Sequence, residues 1–262
     1  MEITSPQDRI QDILLTVGTS TAICTAVHLV VAPIWRKAIG QQKYFALRKR
    51  ERLYLAEKTV STLNGLVGGG LALATIASGV YHGDVINPYP RLAHYALGFI
   101  SGYSIYDTTV MALGAHEPLV MWLHHLLGLG GAMGMMYFRK LSFFPVVFAL
   151  TELTVLPFNF IWYLNKLDVP RNSPLMRFAL ITRAVAFLAL RAPVGLFAFG
   201  YAHFQTKGGL AGLWRRIFVN KEVQEPVAVA TALNTLAFTI FNMYWTMQAI
   251  KASSKGKKPK TS

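Results

Sequence analysis

Seven stretches of about twenty residues each, nearly free of charge, divide this 262-residue chain. They cover residues 13–34, 60–81, 93–113, 119–138, 143–164, 178–201 and 227–250. At 1.5 Å of rise per residue, a helix of that length crosses about 30 Å of hydrocarbon. With 53% hydrophobic and only 15% charged residues, the chain has too little polar surface for a water-soluble domain. The expectation is an all-α, multi-pass transmembrane bundle of about seven spanning helices, separated by turn-forming clusters such as Asn87-Pro88-Tyr89-Pro90.

The net charge of +14 lies mainly in the connections and the tail, where it faces anionic headgroups, so nucleic acid is not an expected partner. The single cysteine, Cys24, lies in the first apolar run, which leaves no intramolecular disulfide. The first twelve residues lack the basic start and small-residue cleavage site of a secretory signal, and the first run is read as a retained helix. Orientation follows from basic residues. The first connection holds Arg36, Lys37, Lys43, Arg48, Lys49, Arg50, Arg52 and Lys58, and the tail holds Lys251, Lys255, Lys257, Lys258 and Lys260. With seven crossings both segments fall on one side, expected to be cytosolic, which puts the N-terminus in the lumen. Lys207, Arg215, Arg216 and Lys221 oppose this bias from an interfacial stretch around Trp214.

Ionisable groups at hydrocarbon depth are costly and turn toward a bundle interior. Only a few residues join the third and fourth runs, so these form an antiparallel hairpin. Asp107 and His124 each lie seven residues from that connection, roughly 10 Å below the same face, and are expected to meet. By the same measure Glu152 and Arg191 lie near the midplane, where an ion pair is the cheapest arrangement. Arg183 sits two turns before Arg191, nearer the level of Asp107. The consecutive His124 and His125 point about 100° apart on a helix, unlike an i, i+4 pair of metal ligands, and no metal or cofactor is expected. Each imidazole has either a structural role, hydrogen-bonded to a neighbouring helix, or a catalytic or lipid-binding one.

Five segments in order resemble the TLC-domain family: Lys58-Thr-Val-Ser-Thr-Leu-Asn64, Gly102-Tyr-Ser-Ile-Tyr-Asp107, Trp122-Leu-His-His125, Glu152-Leu-Thr-Val-Leu-Pro-Phe-Asn159 and Asn242-Met-Tyr-Trp245. The resemblance divides the chain into an N-terminal helix with its basic connection (1–50), a TLC domain (51–250) and a basic tail (251–262). It implies six helices around a lipid-accommodating cavity, an address in the endoplasmic reticulum and work in lipid metabolism. Asn64 and Asn242 join the polar residues of that cavity. In the ceramide synthases of the family, paired histidines take part in acyl transfer from acyl-CoA. Carried over, that role falls to His124 or His125, with Asp107 as orienting partner. The chain departs from those synthases after His125, where Leu-Leu-Gly-Leu-Gly-Gly carries no acidic residue, and Asn64 stands where many members have a histidine. It is more similar to the short TLC domain-containing proteins.

The tail, Lys258-Pro-Lys260-Thr-Ser262, matches a KxKxx retrieval signal read by coat proteins on the cytosolic side, and equally a solvated polybasic anchor. The leading expectation is an endoplasmic-reticulum membrane protein that binds lipid acyl chains and contributes to lipid homeostasis. The alternatives are an acyl-CoA-dependent acyltransferase using His124 or His125, and a cargo receptor whose working part is the tail.

Overall fold

The computed structural model describes residues 5–114 and 117–254; Lys258 and Lys260 lie outside them. Helix α1 (Pro6–Ala38) starts where the Ser5 hydroxyl accepts the backbone N–H of Asp8 and Pro6 occupies the first turn. After the short α2 (Gln41–Ala46), α3 (Lys49–Ala77) returns, its start fixed by Glu51 accepting the backbone N–H of Arg48. There follow α4 (Arg91–Gly114), α5 (Leu119–Phe138), α6 (Phe143–Lys166) and α7 (Pro174–Gln205), the last capped by Ser173 and Pro174. A short α8 (Gly209–Trp214) precedes the final long helix, α9 (Glu225–Ser254). No strand occurs among the described residues.

The chain thus passes seven times between two faces, called here the amino face, where α1 begins, and the carboxyl face, where α9 ends. Six of the long helices are apolar enough to cross a membrane: α1, α3, α5, α6, α7 and α9. Their outward surfaces bear large apolar side chains, among them Leu14, Leu196 and Phe204, the last 83% exposed. Only a lipid environment makes such a surface stable. The seventh expected span, α4, is 24 residues long and less apolar, because it stands inside the others. His94, Ser101, Ser104 and Asp107 are all buried along it. A helix wrapped by protein has no need of a lipid-soluble surface.

Helix α1 lies along α4. Gly98 and Gly102 of α4 face Thr16 and Ser20 of α1 so closely that a Cβ on Gly102 would stand 2.5 Å from that of Ser20. The Thr21 hydroxyl donates to the Gly102 carbonyl at 3.2 Å, as small-residue seams in membranes permit. At the carboxyl face, Trp35 stacks on Tyr163 and donates its indole N–H to Thr59 at 2.9 Å. At the amino face a clasp joins two connections, that between α3 and α4 and that between α8 and α9. Arg216 reaches Asp84 at 3.2 Å and grips both oxygens of Glu222, at 2.9 and 2.7 Å. Burial alone would raise the Asp84 carboxyl, but the backbone N–H of Ile86, the Asn87 amide and Arg216 together hold it below its ordinary value. Hydrogen bonds from Arg216 hold Glu222 below its own.

The second span begins earlier than expected. Helix α3 starts at Lys49, not at residue 60, so Lys58 belongs to the interior of the bundle and not to the basic connection. Glu57 comes inside with it.

Candidate cavity site

Three backbone irregularities converge near mid-depth. Gly65–Gly69 of α3 and Phe187–Arg191 of α7 are π-helical turns, and Leu150–Thr154 of α6 is a 3-10 turn. Such turns re-aim side chains inside a helix and cluster at functional sites. Gly65 lets α3 approach α6, since a Cβ there would stand 2.9 Å from the Glu152 carbonyl oxygen. That approach brings the Asn64 amide onto the Glu152 carboxylate, Nδ2 to Oε2, at 2.8 Å.

Around this level lies a cavity of about 1110 Å³. Toward the carboxyl face its wall is polar, with Glu57, Lys58, Asp107, His125 and Arg183. Toward the amino face it is mainly apolar, with Leu97, Phe138, Phe144, Phe148 and Val227 beside the neutral polar Gln224, Thr231 and Asn234. Glu152 and Arg191 stand at the boundary. Among the lining residues, Leu126 and Leu127 of α5 and Leu233 of α9 are exposed, so the apolar lining continues onto accessible surface beside those two helices.

In the polar half, the His125 imidazole Nε2 meets Asp107 Oδ2 at 2.9 Å, both side chains under a tenth exposed. Beside them the Lys58 ammonium contacts Glu57 at 2.8 Å, and the Tyr103 hydroxyl donates to the other Glu57 oxygen at 3.4 Å. Glu57 is only 2% exposed. At the boundary, Arg191 donates from Nε to the Thr154 hydroxyl at 2.6 Å and from Nη1 to the Asn242 carbonyl at 3.2 Å. Its guanidinium lies between the rings of Phe187 and Trp245, 5.1 and 5.3 Å away. Arg183, also buried, donates to the Ala249 carbonyl at 3.3 Å.

Asp107, His124, His125, Glu152, Arg183 and Arg191 therefore share one cavity, while Asn64 and Asn242 stand behind the wall and hold Glu152 and Arg191 in place. Two expected contacts differ. Asp107 meets His125, not His124, because the face of α5 turned toward α4 carries His125. His124 points about 100° away, into the rings of Phe238 and Trp245, 5.1 and 4.7 Å from its own. Glu152 and Arg191 do not close to the 4.0 Å of an ion pair. Each is satisfied instead by a neutral neighbour: Asn64 for the carboxylate, Thr154 and Asn242 for the guanidinium.

Sequence reading missed Glu57, since it stands next to Lys58 and looks like the end of a basic loop. A signal was present: Glu57, Ser61 and Asn64 follow the i, i+4, i+7 spacing of one helical stripe, and all three are buried. Among the described residues no group of three or more His, Cys, Asp or Glu side chains gathers as a metal site requires.

Comparison with curated proteins and with solved structures returns no significant match. The family model described as the TLC domain matches residues 55–251, about three quarters of the chain, leaving α1 outside it. The protein is a multi-pass membrane protein of the TLC-domain family.

Proposed function

We propose that the cavity holds the acyl chain of a membrane lipid, and that through this binding the protein helps set membrane lipid composition in the endoplasmic reticulum. The observation that carries the reading is the division of one cavity into an apolar half and a polar half. An amphiphile entering between α5 and α9 buries its chain against Leu97, Phe138, Phe144 and Phe148 and leaves its polar end among groups that can hydrogen-bond it. The compartment and the cytosolic C-terminus rest on the basic connections and on Lys258 and Lys260. Mass spectrometry of lipids bound to the protein purified in mild detergent tests the binding: an intact acyl lipid near stoichiometry is expected, and protein free of acyl lipid refutes it. Substituting Lys258 and Lys260 with alanine should move the protein out of the endoplasmic reticulum.

A second reading, an acyltransferase drawing on acyl-CoA, is favoured by the His125–Asp107 contact on the cavity wall. Asp107 would accept the Nε2–H of His125 and leave Nδ1 as base or nucleophile. Attack on a thioester carbonyl forms a C–N bond as the C–S bond breaks, and the thiolate leaves. The acceptor then attacks the acyl carbon, the C–N bond breaks, and the acceptor's proton passes by way of Nδ1 to the departed thiolate. Cells carrying His125→Ala should then lose the lipid-profile rescue that His124→Ala retains. Full rescue by both variants discards the enzyme and leaves the binding reading standing.

A further inference from the structure

Arg191 is 7% exposed, near mid-depth, and its protein partners are neutral. A guanidinium at that depth calls for a counter-charge or a strong acceptor. Thr154 and Asn242 take Nε and Nη1, and Nη2 has no protein partner among the described residues although Arg191 lines the cavity. Glu152 also lines the cavity, with Oε2 occupied by Asn64 and Oε1 without a protein partner among the described residues. An unused donor and an unused acceptor thus face the same space, too far apart to satisfy each other.

We propose that this gap seats the carboxyl group of a long-chain fatty acid, a reading that rests on the lipid-binding function above. One carboxyl oxygen accepts from Arg191 Nη2, and the other shares a proton with Glu152 Oε1. The charge balance supports this choice of head group. The protein itself supplies one guanidinium and one carboxylate there. A fatty acid arriving from the bilayer as the neutral acid adds a second carboxyl and one proton, so no net charge is carried into the interior. An ester offers only an acceptor and leaves Glu152 unmatched. From Arg191 to the end of α7 at Gln205 the helix rises roughly 20 Å, and the cavity lining runs to the same face at Phe138 and Val227, a depth enough for a long chain. Lys58 is a poorer seat for the carboxyl, because its ammonium is already paired with Glu57.

Binding of oleic acid and of methyl oleate to the full chain in nanodiscs separates the outcomes. Oleic acid is expected to bind at least about tenfold more tightly, and Arg191→Gln should abolish that preference while Lys58→Met retains it. Equal affinities for the two ligands in the unmodified protein overturn the head-group assignment and leave lipid binding intact; failure of both to bind overturns the lipid reading itself. Should Arg191→Gln not fold, oleic acid bearing a photoreactive group beside the carboxyl decides the placement in the unmodified protein. Labelling of Phe187 or Trp245 supports the seat, and labelling confined to Tyr103 or Met121 overturns it.

Discussion

Two helix seams in this molecule carry the same spacing of glycines and do opposite things with it. On α4, Gly98 and Gly102 stand four apart and are filled by Thr16 and Ser20 of α1, leaving no room even for a methyl group. On α5, Gly130 and Gly134 also stand four apart, yet nothing lies within 4 Å of where their Cβ atoms would be, and both line the cavity. Contact between α5 and α9 is made beside them, by Gly131 against Asn234, whose amide donates to the Leu127 carbonyl at 3.0 Å. Small residues four apart permit close approach; whether a neighbour takes up the offer depends on what else holds it. At the closed seam the Thr21 hydroxyl binds the Gly102 carbonyl across the contact, whereas beside Gly130 and Gly134 the two helices meet through side chains, Asn234 on Leu127 and the rings of Phe238 and Trp245 on His124.

The largest expected effect breaks the closed seam. Gly102→Val forces a branched side chain onto Ser20 Cβ and the Val17 carbonyl and should cost about 3 kcal/mol, read as loss of folded protein in detergent on heating. The matching change at the open seam, Gly134→Phe, should leave thermal stability within about 0.5 kcal/mol while cutting bound lipid several-fold. If both variants lose stability alike, the contrast between the seams is wrong. A smaller effect concerns what holds α9 at the amino face. Arg216→Ala releases Asp84 and Glu222 together and should cost roughly 1–2 kcal/mol, its side chain being 25% exposed.

The smallest effect is a pH dependence at that same clasp. Asp84 and Glu222 lie below their ordinary values of 3.8 and 4.5, so their contribution is complete above those values and disappears as pH falls through the lower folded ones. Melting temperature should therefore decline on acidification below about pH 4, and Arg216→Ala should flatten that decline. An equal decline in the variant would place the acid-sensitive groups elsewhere.

Much of this was legible in the residues. Runs of apolar side chains fix helices whatever their neighbours, so six of the passes follow from length and hydropathy alone, and the more polar α4 from its length between two turns. Depth arithmetic likewise brings Asp107, the histidines, Glu152 and Arg191 to one interior. Facing was not legible, because it depends on helix rotation. His124 and His125 are equivalent by depth, and only the docking of α5 on α4 turns one toward Asp107. Nor does a count of residues foresee a π-helical turn, which shifts every later side chain by about a quarter turn and takes Arg191 to Thr154 and Asn242 instead of Glu152. Glu57 was hidden by its neighbour: a charge pair at the edge of an apolar run reads as loop until the helix is known to start at Lys49.

Helix α4 has a consequence for how the protein is made. Its surface is too polar to partition readily into a bilayer alone, with a serine pair and an aspartate in its middle. Yet α1 and α3 leave the ribosome before it, and α1 carries the threonine and serine side chains that fit against its glycines. Membrane entry of this segment is therefore a property of the partly assembled bundle: the order of synthesis presents a receptor for α4 before α4 arrives.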